Sequence, residues 1–142
     1  MSEGIYFGEN YKESLMKKKE LKLSKTEILS LIAETCHRTY MIRRSAHKGI
    51  PIESIPKEVT SDDRERAEDA WEELQNHKDL TREQAISLVA TSSHKMWLKH
   101  AERDSIKTSS PMPKLDLSPN EHDYERAEDI IKALEAKEVL HF

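Results

Sequence analysis

Apolar residues at Ile28, Leu31, Ile32 and Cys36 follow helical spacing and run on toward Tyr40. Fifty-seven positions later Ala85, Leu88, Val89 and Trp97 keep the same stripe. A second pair of stripes lies sixty apart: Ala67, Ala70, Trp71 and Leu74 against Ala127, Ile130, Ile131 and Leu134. All eight stand at i, i+3, i+4, i+7, one face of a helix. The pattern predicts four helices.

Capping chemistry predicts where they start. Ser24 with Glu27, and Thr81 with Gln84, have the spacing of a capping box, in which hydroxyl and N3 side chain each satisfy an orphan amide. A third helix start is expected near Ser61 and Asp62. For the last, Ser118 reads as the cap, Pro119 as the first helical residue and Glu121 as the completing acid. Between them, "HKGIPIESIPKEV" and "SIKTSSPMPKLDLSP" carry Pro51, Pro56, Pro111 and Pro113, which forbid continuous helix.

The pairing of stripes is part of a wider self-similarity. "LSKTEILSLIAETCHRTYM" (23–41) lies over "LTREQAISLVATSSHKMWL" (80–98), and "RERAEDAWEEL" (64–74) over "YERAEDIIKAL" (124–134). The offset grows from 57 to 60 between the two blocks, as expected of a duplicated unit whose loop has lengthened by three residues. The expected fold is therefore all-α: two tandem helix-loop-helix repeats packed about a pseudo-twofold axis, with an N-terminal arm. The expected boundaries are 1–22 for the arm, 23–79 for repeat 1 and 80–142 for repeat 2. A two-helix unit exposes an apolar face it cannot cover alone, so each repeat would cover the other and both form one domain.

Composition narrows the function classes. Charged residues make up 35% of the 142 and apolar ones 36%, with three glycines and five prolines, which disfavours a many-stranded β fold. No apolar run approaches the ~18 residues of a membrane span, and "MSEGIYFGEN" has no signal-peptide core. With the single Cys36, this suits a reducing compartment, and the expectation is cytoplasmic. Net charge is −4; residues 1–25 carry +2 and the rest −6. A basic arm ("KKKELK") on an acidic body is not a nucleic-acid signature, so no nucleic acid is expected as partner. Tyr6, Phe7 and Tyr11 give that arm the means to contact a partner or a second copy.

The candidate chemistry lies on the flank of the first stripe. Ser30, Ala33, His37, Tyr40 and Arg44 fall within about 80° of one another on the helical wheel. The twin flank carries Ser87, Ala90, His94, Trp97 and Ala101. A small residue, an imidazole and an aromatic plane one turn apart suit a planar heterocycle, or a base with ribose and phosphate. The same spacing also suits a structural boundary pair.

These residues resemble a known family. "LIAETCHRTY…R", a proline loop, then "DRERAEDAWEEL" is similar to the ryanodine-receptor repeat, the RyR domain. "PKLDLSPNEHDYERAEDIIKAL" resembles that family's Pro, Leu, Pro, acidic stretch and Tyr-x-Arg-x-x-Ala helix. His94, Trp97, Tyr124 and Arg126 fall on its motif positions, as do His37, Tyr40, Arg44 and Arg66, with Arg64 where the tyrosine would stand. Of the family's glycines after the first helix only Gly49 remains. The resemblance covers roughly 23–139. It implies a non-catalytic module in symmetric tandem pairs, and among bacterial and phage relatives a nucleotide-signal binder. Without an effector domain, such a pair resembles a sponge that sequesters an immune signalling nucleotide.

No G-x-x-x-x-G-K, G-x-G-x-x-G or G-x-S-x-G motif is present. "EHD" at 121–123 with His94 and His100 is the best metal-hydrolase candidate, but acids in a first helical turn are explained by the helix dipole. Cys36 belongs to the buried stripe, and the acidic runs "SDDRERAED" and "NEHDYERAED" read as solvated helix starts. The expectation is a non-enzyme with no cofactor and no metal, binding a small nucleotide-derived ligand. Trp97 and Tyr40 would stack, His37 and His94 would hydrogen-bond, and Arg44, Arg66 and Arg126 would neutralise phosphate. The alternative is a protein–protein interaction module.

Overall fold

The computed structural model describes residues 23–111 and 116–142. The expected arm (1–22) and Pro113 lie outside them. Four helices form: α1 (Lys25–Lys48), α2 (Ser61–Gln75), α3 (Arg82–Thr108) and α4 (Glu121–Ala136), with one 3₁₀ turn at Ile52–Ser54. No strand occurs among the described residues, so the chain is all-α. No helix among them is long and apolar enough to cross a membrane.

Every helix opens on a capping box. Glu27 N–H donates to Ser24 Oγ at 3.2 Å while Ser24 N–H donates to Glu27 Oε1 at 2.9 Å. Thr81 and Gln84 repeat the arrangement for α3. For α2 the box is Thr60 with Asp63, beside the expected start. For α4 the expectation needs correcting. The cap is Asn120 with Asp123, and Ser118 is instead held in a turn, its N–H donating to Asp116 Oδ1 at 2.9 Å. The reason is long-range: Asp123 also accepts a hydrogen bond from His94 on α3, which fixes the helix register two residues beyond the local optimum.

The helices pack in a ring, α1 against α2, α2 against α3, α3 against α4 and α4 against α1. No close backbone approach joins α1 to α3 or α2 to α4 among the described residues. Neighbours run in opposite directions. Arg43 near the end of α1 meets Glu125 near the start of α4, and Arg103 near the end of α3 meets Asp62 at the start of α2. Arg82 at the start of α3 meets Glu135 at the end of α4. This is the geometry of an antiparallel helical bundle.

One end of the bundle is dry. Ile28, Ile32, Ala70, Leu74, Ala85, Val89, Ile130, Ile131 and Leu134 form a continuous buried cluster, which Trp71 and Val139 help close. Each fully buried Ile or Leu contributes about 1.5–3 kcal/mol. All eight stripe residues of α2 and α4 are inside, as the pattern predicts. The aromatic ends of the α1 and α3 stripes lie outside: Tyr40 is 42% and Trp97 41% exposed, and on α3 Met96 takes the inward place instead. The other end is polar though equally buried: Thr35, His37, Asp63, Arg66, Ser92, Ser93, His94 and Asp123 replace the aliphatic layers there. Buried polar groups need internal partners, and those partners build the candidate site.

Candidate functional site

His37 and His94 sit at the centre of this polar end, 5% and 3% exposed. Each imidazole uses both nitrogens within the protein. His37 Nδ1 donates to Asp63 Oδ2 at 2.9 Å and Nε2 to the Pro56 carbonyl at 2.7 Å. His94 Nδ1 donates to Asp123 Oδ2 at 2.8 Å and Nε2 to the Asp116 carbonyl at 2.6 Å. Each ring thus turns one nitrogen to a carboxylate and the other to a backbone carbonyl. Each histidine thus ties three elements together: its own helix, the linker after it, and the capped start of the next helix.

The carboxylates in these pins are Asp63 and Asp123, buried at the N3 positions of α2 and α4. Asp63 Oδ2 also accepts from Thr60 N–H at 3.0 Å and from the Thr60 hydroxyl at 2.9 Å. Asp123 Oδ2 accepts from Asn120 N–H at 3.0 Å. The reading of both acidic runs as solvated helix starts is therefore wrong at one residue each. Their sixty-residue spacing at a matching N3 position was the available signal.

The aromatic partners stand outside. Tyr40 packs on His37 with ring centroids 5.7 Å apart and planes tilted by 33°, and Trp97 on His94 at 5.4 Å and 31°. Tyr40, Trp97 and Tyr124 are 42%, 41% and 43% exposed, so each retains an open ring surface. The imidazole edges, by contrast, are closed to any ligand. Arg44 is exposed on α1.

Arg66 and Arg126 point inward. Arg126 Nη1 donates to Ser93 Oγ at 2.9 Å and stands 3.5 Å from Asp123 Oδ1. Arg66 Nη1 lies 3.8 Å from Asp63 Oδ1, and Cys36 holds the place that Ser93 holds beside Arg126. Nε of both arginines is buried without a hydrogen-bond partner. Burial, then the nearby Arg66 charge, holds Arg126 below the ordinary arginine value. Burial pushes the Cys36 thiol up to about 11 even though both guanidiniums pull it down, so desolvation wins over two adjacent cations. Cys36 is core, as expected.

An open cleft of about 460 Å³ lies between α1 and α2. Leu29, Ala33 and Val59 make its apolar lining, while Ser30, Arg64 and Glu68 supply polar groups. It takes in the Ser30–Ala33 part of the predicted flank, but not His37, Tyr40 or Arg44. Val59 and Glu68 were not singled out from sequence, and Arg64 only as the residue standing where the resembled family has a tyrosine, because the path of the linker brings them to that face.

The suggested metal grouping does not assemble. His94 is fixed by Asp123 and Asp116, His122 accepts from Arg43 at 3.1 Å, and His100 pairs with Glu65 at 2.8 Å. Asp62, Glu65 and His100 do present ligand atoms within 4.8 Å of one another. Arg103 already occupies both carboxylates there, at 2.6 Å from Asp62 and 3.2 Å from Glu65. His100 and Arg103 together hold the two carboxylates, which makes a clamp between α2 and α3. Arg43 with Glu125 and His122 makes the corresponding clamp between α1 and α4.

No family model, curated protein or solved structure matches this chain, so the likeness to the ryanodine-receptor repeat rests on its motif residues alone.

Proposed function

We propose that this chain is a non-catalytic binding protein for a small nucleotide-derived ligand. The observation that carries the reading is the cleft between α1 and α2, whose 460 Å³ falls in the size range of small-molecule sites. Its lining is suited to such a ligand. The apolar lining takes a flat ring, Glu34 and Glu68 accept from ribose hydroxyls, and Arg64 pairs with phosphate. The open faces of Tyr40, Trp97 and Tyr124 add stacking planes nearby in sequence on both halves. With the imidazole edges engaged, His37 and His94 act here as positioning residues rather than ligand contacts. Tight holding without turnover is what a sponge for a signalling nucleotide requires, the use that the family resemblance implies.

We further infer that the two halves are related by a pseudo-twofold axis. Support comes from the matched pins, matched Asp63 and Asp123 boxes, and matched clamps on alternate helix pairs.

A thermal-shift panel of mono-, di- and cyclic nucleotides, NAD and ADP-ribose tests the ligand reading. Stabilisation by one of them of several degrees, lost in Arg64→Ala, is expected. No stabilisation by any member would sink it. A protein-interaction module is favoured by a different observation, the exposure of Ile42, Ile106 and Leu117 along with the three aromatics. Capture of one defined partner, abolished by Ile106→Lys and untouched by nucleotides, would select that reading.

A further inference from the structure

Carried along α1 and α3, the 57-residue offset sets Ile42 against Lys99, Arg43 against His100 and Ala46 against Arg103. On the α2–α3 side Arg103 crosses to both Asp62 and Glu65, and Lys95 holds Asp69 at 3.1 Å. On the α1–α4 side one cation does the corresponding work. Arg43 pairs with Glu125 at 3.1 Å, while Asp129, the match of Asp69, accepts the Thr39 hydroxyl at 3.2 Å. Neither Asp129 nor Glu121 forms an ion pair among the described residues.

With Ala46 in place of an arginine, a second cleft of about 450 Å³ lies open between α1 and α4. It shares no lining residue with the cleft between α1 and α2. Ile42 and Ala46 line it with apolar surface. Glu121, Glu125 and Asp129 line it at i, i+4, i+8 along one face of α4, and only the middle one has a cation. His47 and His122 complete the lining, their rings edge to face with centroids 5.9 Å apart.

We propose that this cleft binds a linear aliphatic polyamine, its methylenes over Ile42 and Ala46 and its ammonium ends on Asp129 and Glu121. Such a ligand supplies what Lys99 and Arg103 supply on the other side, a charged nitrogen at the end of an alkyl stem. Eight residues of helix separate the two carboxylates by about 12 Å. A monoamine therefore engages one of them and a polyamine both. Three carboxylates against one guanidinium oppose a phosphate ligand, so this site and the nucleotide reading stand independently.

Calorimetry of the full chain at pH 8, above the range in which an ordinary imidazole takes up a proton, tests the proposal with spermidine and butylamine at matched ionic strength. One saturable spermidine site per chain is expected, at least tenfold tighter than butylamine. Asp129→Asn keeps an oxygen for the Thr39 hydroxyl and should weaken binding about tenfold. Ala46→Arg places the other side's cation in the cleft and should abolish it. Ala46 is exposed and arginine is a good helix former, so circular dichroism should stay helical. Glu128→Gln removes a carboxylate outside the cleft, one paired with Lys132, and should change nothing. No saturable binding at millimolar spermidine, or undiminished binding in Ala46→Arg, overturns the site. Equal weakening by Glu128→Gln and Asp129→Asn does so too, since it marks diffuse attraction to an acidic surface. Tighter binding of a tetralysine peptide than of spermidine assigns the cleft to a basic protein segment and ends the small-ligand assignment.

Discussion

The two halves of the molecule agree in their histidines and disagree in their arginines. His37 and His94 make the same two hydrogen bonds to the same kinds of partner, within 0.1 Å of each other in length. Behind them, Arg126 reaches the Ser93 hydroxyl at 2.9 Å, whereas Arg66 makes no hydrogen bond among the described residues and stands 3.8 Å from Asp63 Oδ1. Two differences border the contrast: Cys36 stands where the second half has Ser93, and Thr60, whose hydroxyl also donates to the carboxylate, where it has Asn120. A hydroxyl oxygen is a good acceptor for guanidinium N–H and a thiol is a weak one. The pins are therefore matched between the two halves, and the arginines are where the halves differ.

The most damaging way to probe this comparison is to break a pin. His94→Ala leaves Asp123 buried beside Arg126 without its main donor and releases the Asp116 carbonyl, and a loss of about 3–5 kcal/mol is expected in urea unfolding. His37→Ala should cost a similar amount. A gap between the two larger than about 1.4 kcal/mol, a factor of ten in the folding constant, would show the pins to be unequal.

The arginine contrast predicts a smaller and unequal pair. Ser93→Ala removes a hydrogen bond to a charged group and should cost about 1.5–3 kcal/mol. Cys36→Ala removes no hydrogen bond from Arg66, and its cost should be limited to the small volume lost, about 1 kcal/mol. Equal losses would mean that Cys36 partners Arg66 after all. A chemical readout sharpens the point. With its thiol pushed up to about 11 by burial, Cys36 should resist a disulfide reagent at pH 8 in native buffer and react fully in urea. Fast native labelling would mean that the adjacent cations outweigh desolvation.

The smallest effect concerns the helix ends. α1 stops at Gly49 with φ of 64°, and α3 stops at Ser109 with φ of 56° in the same left-handed conformation. Only glycine adopts it without a Cβ penalty. Ser109→Gly should therefore stabilise by about 0.5–1 kcal/mol, and Gly49→Ala should destabilise by about 1 kcal/mol, although open space surrounds the Gly49 Cα. Thermal unfolding of the two variants in parallel measures the sign.

These comparisons also mark how far the chain could be read without coordinates. The stripes of α2 and α4, Ile28 and Ile32 on α1, and the boxes at Ser24 and Thr81 are consequences of local periodicity and of a side chain reaching three residues along. Every one of them lies where the sequence alone places it. The doubled His-x-x-aromatic pair was also legible, together with its double meaning as ligand edge or boundary pair. Asp63 and Asp123 were not, because an acid at N3 looks the same whether water or an imidazole faces it. Asn120 displaced Ser118 as a cap for the same reason, since the deciding bond comes from His94 on another helix.

Sequence by itself thus determined four helices, their oily faces and most of their starting points, all set by interactions spanning no more than about two turns. Tertiary structure alone decided which polar groups share the interior: that both imidazoles are used up on the protein, that a cleft opens beside Arg64, and that Arg66 makes no hydrogen bond among the described residues. The imidazole bonds join residues from 19 to 29 positions apart, whose meeting no local spacing encodes and whose energies only burial makes large.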